Sequence, residues 1–418
     1  ATDRYLEDGA RWSCVMPGSL LSGLNHEPLR SEKYRSSDAA LPLQFDAIWE
    51  LPQNIFKNKA IVLSGKKSDL PSLDVLAGRV YTEAGVYTEA YYTLNRQGNR
   101  SAWTNRGRDV EVADILGGDA LKFSQGCDLF PRTALFHEFV ERPNGNWDIA
   151  PIERTSNLWY LVSEQKKASC NGLTAANVDK SYIFDAFISK HLSPFYMTAP
   201  AKVLMPGKKV NGQWRAISAT DRALVNSSTS YVFNQIEEAE NTPASLGTYL
   251  NDSINIYGKL EKQNFTTKNW MVLSSASGTN PCAAYISLET LDRARLIIDQ
   301  TLYWYLADSE NEAIYIVGLL NSHALSDAIK DFQPEGGFGK RHIHTLPYKI
   351  IPEFDYEDTA HIEVVTKTRE LMQEWATLCL NGEYANLLQP NSSSLSSRRR
   401  RQQAAIRGLG AYAEYEAA

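Results

Sequence analysis

Three glycines in four positions, Gly336, Gly337 and Gly339, stand directly before Lys340, Arg341 and His342. Glycine lets the backbone approach another surface closely. Main-chain N–H groups beside cationic side chains are the chemistry of a phosphate grip. The bland alternative is a basic surface turn between packed elements. Three further stretches interleave cations with aromatic rings. One holds Arg96, Arg100, Trp103, Arg106 and Arg108. The next holds Lys202, Lys208, Lys209, Trp214 and Arg215, and the last Lys259, Lys262, Phe265, Lys268 and Trp270. Any one of them reads as a solvated face. Four in a chain of net charge −6 predict a shared basic cleft for nucleic acid. The predicted DNA contacts are Arg96, Arg100, Arg106, Arg108, Lys208, Lys209, Arg215, Lys340, Arg341 and His342.

Other chemistries lack their residues. His342 and His344 would share one side of a strand, but no carboxylate or cysteine stands at ligand spacing, so no metal is expected. The five cysteines are far apart with no Cys-x-x-Cys pair, which signals neither a zinc site nor a disulfide framework and fits a reducing cytoplasm. No Ser–His–Asp arrangement has supporting context, and no Pro-Asp…Glu/Asp-x-Lys nuclease motif occurs. No signal peptide and no apolar run of membrane-spanning length is present, so no membrane partner is expected. The run Arg398–Arg401 reads as a solvated helix start or a subunit contact, with phosphate binding as the alternative.

The elements that must position these residues are mixed. Thr2 to Asp8 reads as the end of a helix stopped by Gly9. Strands are expected at Arg11–Met16, Phe45–Leu51 and Ala60–Gly65, with a helix over Asn25–Arg35. That order is an α/β pattern three strands wide, as at the edge of a larger sheet. Residues 68–80 read as a linker. Residues 80–330 alternate short β-like runs with turns: Val86–Leu94, Trp159–Ser163, Trp270–Ser274 and Arg295–Leu306 as strands, Ser181–His191 and Ser228–Ala239 as helical patches. A helix is expected over 357–386 with an apolar stripe of Ile362, Val365, Leu371 and Trp375. The 21 tyrosines and 9 tryptophans favour a strand-rich protein with binding surfaces.

Tyr5–Gly23 and Phe45–Lys67, in this order, resemble the second half of the catalytic domain of adenine-specific N6 DNA methyltransferases. Leu129–Val140 resembles the Pro-Arg lead-in to a strand in target-recognition domains of large restriction–modification methyltransferases. Leu296–Ser322 followed by Gln333–Asp355 carries the most specific likeness: a tyrosine-rich strand, a Glu-Ala-x-Tyr…Leu-Asn-Ser helix and the glycine–lysine–arginine–histidine loop. The family's methyl-donor loop and its Asn-Pro-Pro-Tyr loop are absent. Ser193-Pro194-Phe195-Tyr196 and Asn280-Pro281-Cys282-Ala283 only approximate the latter and read as turns.

The resemblance implies a fold of α/β plus α+β type. Residues 1–70 would be the C-terminal part of a Rossmann-like catalytic domain, 80–350 a strand-rich DNA target-recognition domain and 351–418 a helical tail. It implies that Phe56, between the last two strands, packs on the flipped target adenine, and an ordinary core phenylalanine is the alternative. Lys57 and Lys59 flank it and favour a surface position. It implies duplex DNA as a partner, and an N-terminal methyltransferase portion supplying S-adenosylmethionine and the catalytic loop. The chain alone is expected to bind no cofactor and to start within a domain. A stand-alone DNA-specificity subunit is the second reading, and an unrelated α/β protein the third.

Overall fold

In the computed structural model the described residues are 5–36, 41–52, 54–56, 59–97, 100–105, 121–163, 172–239, 245–276, 281–330, 335–336, 339–340, 351–380, 382, 384–391 and 394–418. The chain is mixed α/β, strand-rich, with a helical C-terminal segment. It forms two compact units, residues 1–121 with 277–281 and 323–353, and residues 122–276 with 282–322 and 354–418.

The first unit is built on one six-stranded sheet. Its strands are β1 (Arg11–Pro17), β2 (Leu43–Glu50), β3 (Ala60–Lys67), β4 (Val75–Tyr81), β5 (Tyr87–Gln97) and β6 (Arg100–Thr104), in the order β1-β3-β2-β4-β5-β6. β3 is antiparallel to both β1 and β2, and β2 runs parallel to β4. β1, β2 and β4 therefore point the same way. Alternation buries Ile61 and Leu63 of β3 with Phe45, Ile48, Leu76, Tyr92 and Trp103 on one face. The phenyl ring of Phe45 meets Trp12 and Trp103 edge-on at 5.8 and 5.6 Å.

The three strands expected from the sequence are present, but the sheet does not end with them. β4 overlaps the end of the stretch read as a linker, residues 68–80. Gly78 hides it, because that glycine interrupts the apolar alternation. The glycine is required, since a Cβ there would come within 2.3 Å of the Tyr92 ring. The helix expected over Asn25–Arg35 is broken into short turns at Leu24–His26, Glu27–Arg30 and Lys33–Ser36. Glu32, at φ 55°, is left-handed and stops continuation. Arg30 explains why the turns stay down. It is 1% exposed and donates to Leu20 O at 2.7 Å, Gly23 O at 2.9 Å and Ser101 O at 3.0 Å, while Glu27 accepts from Ser101 N at 2.7 Å.

The second unit packs several small sheets around apolar clusters, among them one holding Phe184, Tyr182 and Phe233 and one holding Phe187, Met271 and Trp304. A four-stranded sheet joins 283–287, 270–275, 302–307 and 124–125 in that order. A three-stranded sheet places 183–187 between 201–204 and 296–298. The helical patch expected at Ser181–His191 is thus a strand between two short turns. Its Ile183, Phe184 and Phe187 are buried between neighbours on both sides. Trp159–Leu161 is a helical turn rather than a strand. Ser193 pairs with Tyr196 across Pro194–Phe195, the turn expected there. Helix α1 (Ser227–Glu238) packs on 175–178, and α2 (Glu310–Asn321) packs on α3 (Thr359–Leu380). Of the stripe expected on α3, Val365, Leu371 and Trp375 are buried and Ile362 is 36% exposed.

The arginine run opens α4 (Leu395–Arg407), and here the expectation of a solvated start fails for half of it. Arg398 and Arg399 are 2% and 7% exposed, whereas Arg400 and Arg401 face solvent. Arg398 donates to Lys190 O at 2.6 Å, Gln389 O at 3.2 Å and Leu192 O at 3.4 Å. Gln402, one turn on, donates to Ser193 Oγ at 2.7 Å and Leu387 O at 2.6 Å. Residues 398, 402 and 406 form the inward stripe of this helix. Burial lowers the Arg398 guanidinium to about 10, so it stays charged at neutral pH.

Beside this grip lies His191, fully buried. Its Nδ1 accepts from Ile188 N at 3.2 Å and its Nε2 lies 2.9 Å from Tyr160 Oη. Burial, with Arg132 and Arg398 nearby, lowers its pKa to about 3, so it folds neutral.

Two stability outcomes follow. Arg398→Ala leaves buried carbonyls unpaired and is expected to cost about 2–4 kcal/mol in urea unfolding, against under about 0.5 for Arg401→Ala. Equal, small effects would contradict the buried grip. A depressed histidine contributes stability that is present above its unfolded pKa and lost as pH falls toward the folded value. The stability advantage of the wild type over His191→Gln should therefore shrink below about pH 6.5. An advantage that grows on acidification would contradict the neutral form.

Candidate nucleic-acid interface

Because β1, β2 and β4 are parallel, their carboxyl ends, Pro17, Glu50 and Tyr81, lie along one edge of the first unit's sheet. Ligands of open α/β sheets bind outside such ends. The loop from β2 to β3 leaves from this edge and returns to it. Leu51 N donates to Ala60 O at 3.0 Å and closes its base. Glu50, 9% exposed, accepts from Tyr92 Oη at 2.6 Å and from Asn105 Nδ2 at 3.4 Å, and pairs with Lys59 Nζ at 2.7 Å. Burial and the Glu50 carboxylate raise the Tyr92 phenol well above its ordinary range, which keeps it a donor. The loop is thus held at its base by a buried carboxylate with three partners.

Phe56 rides on that loop and is 44% exposed, with Ile55 at 56%. It is not a core residue. Gly18 N donates to Lys59 O at 2.8 Å, and a Cβ on Gly18 would come within 2.9 Å of Lys59 Cγ. The turn Gly18–Leu21 is therefore pressed against the base of the Phe56 loop. Against the same turn lies a two-residue hairpin, Glu335–Gly336 paired with Gly339–Lys340. The paired residues 335–336 and Lys59 at the base of the Phe56 loop thus both meet the turn Gly18–Leu21. Arg341 and His342 lie outside the described residues, as do Arg106 and Arg108.

The remaining predicted contacts separate. Arg96 pairs with Ser101 and Arg100 with Gln97, toward the opposite edge of the sheet from Phe56. Lys208, Lys209 and Arg215 belong to the second unit, on the hairpin β7 (Gly207–Val210) and β8 (Gln213–Ala216). Lys209 is turned inward. It donates to Gln263 O at 3.3 Å, and burial lowers its pKa. Arg215 is exposed and Lys208 half-buried. Cations of the third stretch each have a partner within the chain, those of Lys262 and Lys268 at the surface: Lys259 to Gln125 Oε1 at 2.8 Å, Lys262 to Tyr257 O at 3.2 Å and Lys268 to Asp308 at 2.7 Å. Lys202 pairs with Asp185 at 2.8 Å. Sequence reasoning missed Glu50, Tyr92 and Asn105, because a carboxylate ending a strand carries no motif.

No family model matches the chain, and no curated protein does. Among solved structures, the Type IIL restriction-modification enzyme MmeI in complex with DNA superposes at a TM-score of 0.46 with 10% identity, over 96% of this chain and 47% of that one. The type IIG restriction endonuclease BpuSI does so at 0.28 with 11% identity, over 98% and 48%. The ATP-dependent Type ISP restriction-modification enzyme LlaBIII bound to DNA gives 0.36 with 10% identity, over 91% and 26%. Two of these similar structures are of restriction-modification enzymes and one is of a restriction endonuclease. The chain spans about half the length of the first two. At these TM-scores the likeness assigns no role to any residue.

The loop geometry makes a direct expectation. Lys59→Met leaves Glu50 without its cation and should loosen residues 51–59, read as faster amide exchange there, while β1 and β3 keep their protection. Unchanged exchange in the loop would show that the ion pair does not hold it.

Proposed function

We propose that the chain is the DNA-recognising C-terminal half of an adenine-specific N6 DNA methyltransferase of a restriction–modification system. The observation that carries this reading is Phe56, an exposed ring on a loop whose base is braced by Glu50 and Lys59. A base inside a duplex is out of reach, so the enzyme must rotate it into a pocket. Unstacking costs a few kcal/mol, and an aromatic face in the pocket offsets part of it. Base–aromatic stacking is worth roughly 1–3 kcal/mol by alanine substitution. The strand arrangement is consistent with the edge of a Rossmann-like sheet. β3 lies between β1 and β2, and no strand among the described residues pairs with the outer edge of β1.

The methyl donor, S-adenosylmethionine, does not fit this chain's own residues. The glycine loop that would hold it is absent, and the carboxyl ends of β2 and β4 are followed by the Phe56 loop and by a tight turn over Thr82–Val86. Methyl transfer is assigned to the N-terminal portion, and this chain's contribution is to seat the DNA and the base.

In the enzyme assembled with its N-terminal portion, Phe56→Ala should slow methylation about tenfold to a hundredfold without a change in melting temperature. Phe56→Tyr should keep most of the rate. A wild-type rate in Phe56→Ala would contradict the stacking role, as would loss of activity through unfolding.

A further inference from the structure

The hairpin β7–β8 of the second unit has the build of a groove reader. Asn211 and Gly212 sit at φ 52° and 80°, both left-handed, as a two-residue type I′ turn requires. That turn fixes the register: Lys208 opposite Arg215, Lys209 opposite Trp214 and Val210 opposite Gln213. Opposed residues share a face, and successive pairs alternate. The inner face is anchored. Trp214 is 7% exposed and its ring lies 5.0 Å from Phe184. Lys209 lies over the Trp214 ring at 5.7 Å and is bonded to Gln263 O.

The outer face presents Lys208, Arg215, Val210 and Gln213, with Arg215 and Gln213 exposed. The tip stands clear: a Cβ on Gly212 would meet nothing within 4 Å. Among the described residues neither edge of the hairpin pairs with another strand. Lys208 is half-buried at the rim of this face, its ammonium 5.5 Å from the centre of the Tyr182 ring. Asp221 is an acidic group near both of these cations. It is bound to Ser218 N at 2.9 Å and Ser218 Oγ at 2.7 Å, closing the cap of the next helix. Two cations against one committed carboxylate leave the face positive in a chain of net charge −6.

The major groove is about 12 Å wide and admits a two-stranded ribbon. Same-face residues on one strand are about 6.6 Å apart, close to two base steps of about 3.4 Å. Arginine reads guanine O6 and N7, and glutamine reads adenine N6 and N7. We infer that β7–β8 enters the major groove of duplex DNA, with Arg215 on a guanine, Gln213 on an adenine about two steps away and Lys208 on phosphate. This rests on the DNA-recognition reading above and adds which residues select the sequence.

The test is selection of bound duplexes from a random-sequence pool by the full chain. The wild type should enrich one motif. Arg215→Ala should lose preference at a guanine position by about tenfold to a hundredfold, and Gln213→Ala at an adenine position near it. Lys208→Ala should keep the motif and reduce the log–log salt slope of binding by about 1. Gln213 and Arg215 are exposed, so their variants should melt as the wild type does. An unchanged motif in both Arg215→Ala and Gln213→Ala overturns the ribbon while DNA recognition stands. Wild-type binding without any motif overturns it equally. A wild type that retains no duplex at low salt overturns both.

Discussion

A charge taken out of water must be met by partners, and this chain puts such charges where its parts are joined. Arg30 and Glu27, buried against Ser101, fasten the turns after β1 to β6. Glu50, held by Lys59 and Tyr92, fixes the two ends of the Phe56 loop. Arg398 and Gln402 clamp α4 to Lys190 O and Ser193 Oγ. Asp299, 1% exposed, pairs with Arg132 at 3.2 Å and receives Thr301 N at 3.0 Å. Removing one partner from any of these strips a contact from a buried charge, so each junction is intolerant of substitution.

That constraint organises the candidate DNA-facing parts. Phe56 is exposed because its loop is short-tethered and its base is satisfied. Gln213 and Arg215 are exposed because Trp214, between them, is buried. In both cases a rigid anchor carries an outward side chain. Such preorganisation reduces the ordering cost of binding and gives each contact a defined direction. The cations that looked alike in sequence divide along the same line. Lys209 and Lys259 are bonded to half-buried or buried partners within the chain, whereas Lys208 and Arg215 share an outer face.

Much of the first unit was legible in the sequence. β2 shows plain apolar alternation and β1 and β3 are short, largely apolar runs, and the position of Phe56 between β2 and β3 needed no more than that. β4 was not legible, because Gly78 is a packing necessity under Tyr92 rather than a turn. The strand Ile183–Phe187 was hidden by its polar flanks. The arginine run misled because four like charges suggest solvent, while the informative spacing was Arg398, Gln402 and Ile406. The Asn211–Gly212 turn was present as a dipeptide and already determined which lysine faces out. Glu50 could not be found from sequence, since its role comes from Tyr92 and Lys59 arriving from other strands.

Amide hydrogen exchange of the full chain, free and bound to a duplex carrying its enriched motif, tests the central claim most directly. DNA recognition through these parts predicts slowed exchange on binding in residues 51–59 and 207–216, with α3 unchanged. Exchange that slows elsewhere and leaves both segments as they were in the free chain would contradict the account.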